Sequence, residues 1–179
     1  MRRLFHSVTF TSLLLAACGE SADMLVSHQH GASSSVPTAR VDGPTAAEVA
    51  RLRRLVAPLH QLSAANEAGF DVQDGPCVAI PVGGMGYHWG NLSRIDGSVR
   101  WDEPEFLVFA PSPDAKDGVK FAAVEYVVPM ALSATPPVLF GQTFVPGGPG
   151  GTAWTLHVWI GIENPSGLFE PWNPRVTCP

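Results

Sequence analysis

Hydrophobic positions along the chain fall into two regimes. Between residues 45 and 69 they recur at helical spacing: Val49, Leu52, Val56, Leu59 and Leu62 form one stripe, with Arg51, Arg53 and Arg54 mainly off it. Thr45-Ala46-Ala47-Glu48 has the form of a capping box, so the helix is predicted to start at Thr45. Pro58 removes a backbone hydrogen bond and predicts a kink or a division into two helices. Gly69 is the predicted stop. The stripe reads as a face packed on a sheet, and His60 as a surface residue.

From Cys77 onward the apolar runs are short and separated by turn residues. They predict strands at Val78–Ile80, Met85–Trp89, Phe106–Ala110, Val119–Val128, Val138–Val145 and, most clearly, Ala153–Ile162. Gly90-Asn91, Asp117-Gly118 and Asn164-Pro165-Ser166-Gly167 supply turns, and Pro146–Gly151 a loop. No helical pattern lies between the strands. The expected fold is therefore α+β, mainly antiparallel, with a sheet able to curl toward a barrel and the N-terminal helix against one side.

The faces of these strands point to a site. Strand side chains alternate, which groups Thr155, His157 and Trp159, and groups Phe121, Ala123, Glu125 and Val127. Both faces of both strands are largely apolar, as in strands buried on two sides. His157, Glu125 and, in Gly86-Tyr87-His88-Trp89-Gly90, His88 thus lie among apolar neighbours. Burying such groups separately is costly. A divalent metal, copper, zinc or iron, can take two neutral imidazoles and one carboxylate and keep positions for water or substrate. His88, Glu125 and His157 are the candidate ligands, although their spacing matches no compact metal motif. Two plainer readings stand beside this one: a metal-free small-ligand pocket, and purely structural polar contacts. A hydrolase with Glu125 as base and His157 as orienter lacks an evident nucleophile. Trp89, Trp154, Trp159 and Trp172 read as core or pocket wall. Asp102, Glu103 and Glu105, near Pro104, read as a solvated loop.

Composition and charge narrow the class. The chain has 179 residues, 45% apolar and 15% charged, with a net charge of −5. The length suits one domain, expected over residues 44–179, and the balance argues against disorder. No basic patch for nucleic acid forms. No nucleotide-binding or GxSxG fingerprint is found, and no helix pattern opens after Gly83-Gly84-Met85-Gly86 to hold a phosphate.

The N-terminus reads as an address. Arg2 and Arg3 precede the mostly apolar stretch Leu4–Leu15, too short to span a bilayer, and then Leu15-Ala16-Ala17-Cys18. This segment resembles the signal peptide and lipobox of bacterial lipoproteins, the plainer alternative being an ordinary secretory signal with a chance Cys. The resemblance implies removal of residues 1–17, acylation at Cys18 and anchoring by two or more acyl chains. The mature chain would be two units more negative, so the lipid is the expected membrane contact. Residues 18–43 then form a tether, in which His28 and His30 read as solvated linker residues. With Cys18 lipidated, Cys77 and Cys178 remain in an oxidising compartment, and one bridge between them is predicted. It would close a loop of about 100 residues, for which chain entropy gives roughly 4–5 kcal/mol before strain. No close Cys/His spacing supports free thiols as metal ligands.

Several segments are familiar as a group. Gly69-Phe70, Cys77, Met85-Gly86-Tyr87-His88-Trp89, Val124-Glu125-Tyr126, Leu139-Phe140-Gly141-Gln142, Leu156-His157-Val158-Trp159, Asn164–Phe169 and Trp172–Cys178 resemble a family of uncharacterised bacterial exported proteins and lipoproteins. The resemblance covers roughly residues 58–178, and its last two segments are the most specific. It implies export and one compact domain, and no reaction. Trp89 stands where the family pattern has Tyr, and Pro58 interrupts the helix; neither departure touches the candidate ligands.

Overall fold

The structure, a computed structural model, describes residues 44–179. The proposed signal peptide, Cys18, His28, His30 and the tether lie outside the described residues. The helical stripe forms α1, Pro44–Val56, and a short α2, Leu62–Glu67. A 3₁₀ turn at Ala57–Leu59 separates them, and Pro58 sits in its first turn, where a missing N–H is harmless. The predicted division at Pro58 is therefore present. The capping box is not. Pro44 already belongs to the helix, and the Thr45 hydroxyl donates to the Phe140 carbonyl at 3.4 Å instead of capping its own helix.

Six strands form one antiparallel sheet. They are β1 (Val72–Ile80), β2 (Gly83–Gly90), β3 (Phe106–Pro111), β4 (Val119–Pro129), β7 (Val145–Gly147) and β8 (Ala153–Val158), in the order β1-β2-β3-β4-β8-β7. The sheet curls into a half-barrel, so the α+β expectation holds. On one face, Val49, Leu52 and Val56 of α1 pack in a single cluster with Leu107, Phe109, Val124, Tyr126, Leu156 and Val158. The other face carries Val108, Ala110, Ala123 and Trp159, covered by Val176. Among the described residues no helix is long and apolar enough to cross a membrane.

Four strand expectations need correction. β1 starts at Val72 rather than Val78, because the chain runs through Gly75-Pro76 as a bulge between Asp74 and Val78. Val138–Val145 is not one strand. Phe140 and Gly141 both take positive φ, 53° and 71°, and fold it into a hairpin of β5 (Val138–Leu139) and β6 (Gln142–Thr143). Val145–Gly147 then pairs with β8, inside the stretch expected to be loop from Pro146. The last strand stops at Val158 instead of Ile162. Beyond it the amides of Gly161 and Ile162 both donate to the Ala122 carbonyl, at 2.9 and 3.0 Å.

Ala122 also changes a face. It is an extra residue in β4, since Val108 pairs with Ala123 and Phe109 with Phe121. One inserted residue reverses the alternation. Phe121 therefore packs on the helix side, with Phe109, while Ala123 and Glu125 face the other way.

The chain after β8 forms a strap that packs Phe169 on the helix-side core and brings Val176 over the opposite face. Asn164, buried, donates to the carbonyls of Glu170 and Trp172, and Asn173, fully buried, donates to that of Glu163. Gly84 and Asn173 exchange two backbone hydrogen bonds of 3.0 Å. Cys178 is disulfide-bonded to Cys77 of β1, as cysteine counting predicted. Residues 164–169 and 172–178 are thus the pieces that fold this strap.

Candidate metal centre

Strand register brings the three candidate residues to one place. Glu125 of β4 and His157 of β8 are paired directly across the two strands. His88 lies on β2, beyond β3, and is paired with Val108. Two strand spacings separate β2 from β4 by about 9–10 Å in a flat sheet, and the curl lets the long His88 and Glu125 side chains close that gap. Gly90 helps. A side-chain carbon there would lie 2.5 Å from the Phe106 ring, so its absence lets that ring rest over β2.

The donor atoms converge. His88 Nε2 is 3.4 Å from His157 Nε2 and 3.4 Å from Glu125 Oε2, and His157 Nε2 is 3.7 Å from Glu125 Oε1. One ligand atom from each residue lies within 4.8 Å of the others. All three residues are buried, His157 to 2% exposure. These separations are long for hydrogen bonds from N–H, which centre near 2.9–3.0 Å. The two imidazole nitrogens, 3.4 Å apart, match neighbouring ligands on one ion, since two donors at about 2.0–2.1 Å from a tetrahedral centre are about 3.3–3.4 Å apart; Glu125 turns one oxygen toward each imidazole.

Burial sets the protonation states. It pushes His88 down to about 4 against a smaller opposing pull from Asp74. It pushes His157 down to about 3, with His88 adding to the shift. It pushes Glu125 up to about 8, helped by the negative charges of Asp74 and Glu105. At neutral pH the imidazoles are neutral, the form in which imidazole can ligate a metal, and Glu125 keeps its proton. His157 stacks on the Trp159 ring with centroids 6.1 Å apart, and its buried Nδ1 has no hydrogen-bond partner among the described residues.

The cluster opens on a cleft of about 450 Å³ whose wall includes His88 and Glu125. Trp172 lines it, as a pocket wall, and so does Asp74, which the sequence reading missed. Asp74 is paired across from His88, on the early part of β1 hidden behind Gly75-Pro76. Trp89, Trp154 and Trp159, the other candidate wall residues, line no part of this cleft. Trp159 is buried, and its indole N–H donates to Glu170 at 2.6 Å; that of Trp154 donates to Ser133 at 3.0 Å; Trp89 packs on the helix-side core. Glu105 is not in a solvated loop. It is 2% exposed, accepts the Val127 amide at 2.9 Å, and is pushed up to about 7, chiefly by burial. His60 is exposed, as expected, and stacks on Phe121 with centroids 4.2 Å apart.

No protein-family model matches the chain, and no curated protein or solved structure matches it either.

Proposed function

We propose that this chain is a lipid-anchored protein of the bacterial cell envelope that holds a single metal ion between His88, Glu125 and His157. The observation that carries the metal is the convergence of three buried residues whose donor atoms lie within 4.8 Å of one another, with the two imidazole nitrogens 3.4 Å apart, long for a good hydrogen bond. Copper, zinc and iron all accept two imidazoles and a carboxylate. When bound, such an ion supplies a Lewis acid beside the cleft. The protein's part is to keep both imidazoles neutral and to hold Glu125 opposite His157. The lipobox-like segment ending at Cys18 and the resemblance to exported lipoproteins support the anchor, and the Cys77–Cys178 disulfide suits an oxidising compartment.

Metal analysis of protein purified without a His tag, beside His88→Ala and His157→Ala, tests the site. About one ion per chain is expected in the parent and loss in both variants. Equal content in all three, or none in the parent after exposure to copper, zinc and iron salts, overturns it. Labelling with an alkynyl fatty acid, lost in Cys18→Ala, tests the anchor.

A metal-free envelope lipoprotein, structural or binding a small ligand, is the second reading. One observation favours it: a ligating imidazole normally gives its far N–H to a partner, and Nδ1 of His157 has none.

A further inference from the structure

The cleft lies between the two edges of the curled sheet. Asp74, Pro76 and Val78 of β1 line one side, and Val145 and Pro146 of β7 the other. Closing the barrel would require these edges to pair. Pro76 and Pro146 have no N–H to donate, so each edge lacks a ladder donor at the cleft. The same prolines work against an added peptide strand. The volume falls in the range of small-molecule sites.

The chemistry of the walls then narrows the occupant. Prolines, valines and the Trp172 ring make the lining mostly apolar. Among the described residues its ionisable side chains are Asp74, His88 and Glu125, with no Lys or Arg. A neighbouring recess of about 310 Å³ shares Asp74 and Glu125 and is likewise without Lys or Arg. An anionic ligand would meet the Asp74 carboxylate with no cation side chain among the described lining residues to offset it.

We propose that this cleft binds a small molecule with an apolar, ring-sized body and a hydrogen-bond-donating head, hydroxyl or amine, that carries no negative charge. The body lies against the proline rims and Trp172, and the head meets Asp74 and Glu125. This goes beyond the metal reading, because it rests on the cleft and the charge of its own side chains; the preference against an anionic head is read in the metal-stripped protein, since a bound cation would itself attract an anion.

Three probes share one ring and differ only in the head: benzyl alcohol, benzylamine and benzoate. They are titrated by calorimetry into metal-stripped and zinc-treated protein, with metal content measured on the same samples. The alcohol and the amine are expected to saturate at millimolar concentrations, as fragments of this size do, with benzoate at least about tenfold weaker. Asp74→Asn, at an exposed position that tolerates the change, should weaken benzylamine and cut the benzoate disadvantage to about threefold or less. Trp172→Ala should weaken the alcohol and the amine about tenfold while thermal melting shows a folded protein. In the metal-stripped protein, equal affinity for all three probes, no saturation by the alcohol and amine up to about 50 mM, or an unchanged preference in Asp74→Asn overturns the proposal. Probe binding without metal binding removes only the metal reading. Metal binding without probe binding removes only this one.

Discussion

Glu125 and His157 are cross-strand partners on β4 and β8, and their side chains meet in the buried interior with His157 Nε2 3.7 Å from Glu125 Oε1. Two of the three candidate donors are thus set by one register. The third, His88, arrives from two strands away because the sheet curls. Any change that slips β8 by one residue would turn His157 to the helix side and dismantle the cluster.

The proton on Glu125 makes the metal-free protein pH-sensitive. Its folded pKa, about 8, lies above its ordinary value of 4.5. Below the ordinary value both folded and unfolded states are protonated and no penalty exists. As pH rises from there to about 8 the unfolded chain ionises first, and stability falls. Glu125→Gln removes the ionisation. In metal-free protein it should match the parent near pH 4 and exceed it by about 2–4 kcal/mol at pH 8, measured by denaturant unfolding.

Metal binding should release about one proton per ion near pH 7. Both imidazoles are already neutral there, so the proton comes from Glu125. Calorimetry of zinc binding in buffers of different ionisation enthalpy reads this number directly. Affinity should drop about tenfold per unit as pH falls below about 8. Release of two or more protons near neutrality would mean that an imidazole starts charged or that a metal-bound water ionises as well, and a variant-free pH series that keeps the second proton below about pH 6 would single out the imidazole.

Glu105 separates hydrogen bonding from charge. Glu105→Ala leaves the Val127 amide without its acceptor and should cost about 1–3 kcal/mol. Glu105→Gln keeps an acceptor oxygen. The folded pKa of Glu105, about 7, is raised from 4.5, so the parent loses stability as pH rises between those values. Gln should therefore equal the parent in acid and gain on it by about 1–3 kcal/mol above pH 7. Thermal melts across pH check the order.

The disulfide ties the strap to β1 across 101 residues of sequence. The Cys77→Ser, Cys178→Ser double variant should lose about 4–5 kcal/mol by chain entropy. It should also free the segment that carries Pro171 and Trp172, both of which line the cleft. Denaturant unfolding measures the first effect. Faster amide exchange confined to the strap measures the second.

Much of the site was legible because strand alternation is written locally. His88, Glu125 and His157 stand out as polar residues in apolar runs, and β4 is buried on both faces from Phe121 to Tyr126, as that pattern implies. Glu105 was misread because Pro104 and two nearby acidic residues look like surface loop, whereas the chain turns inward at Pro104. Asp74 was missed because Gly75-Pro76 reads as a break, and only the bulge lets β1 continue through it.

By itself the amino-acid order determined the kinds of element, the division of the helix at Pro58, the pairing of the two cysteines and the identity of the buried polar residues. Each of these depends on a residue and its near neighbours, or on simple counting. Only the tertiary structure decided that Phe121 faces the helix, that β8 ends at Val158, and that three donors from β2, β4 and β8 share one point. Those outcomes depend on pairing between distant segments, where one inserted residue such as Ala122 reverses every face that follows it.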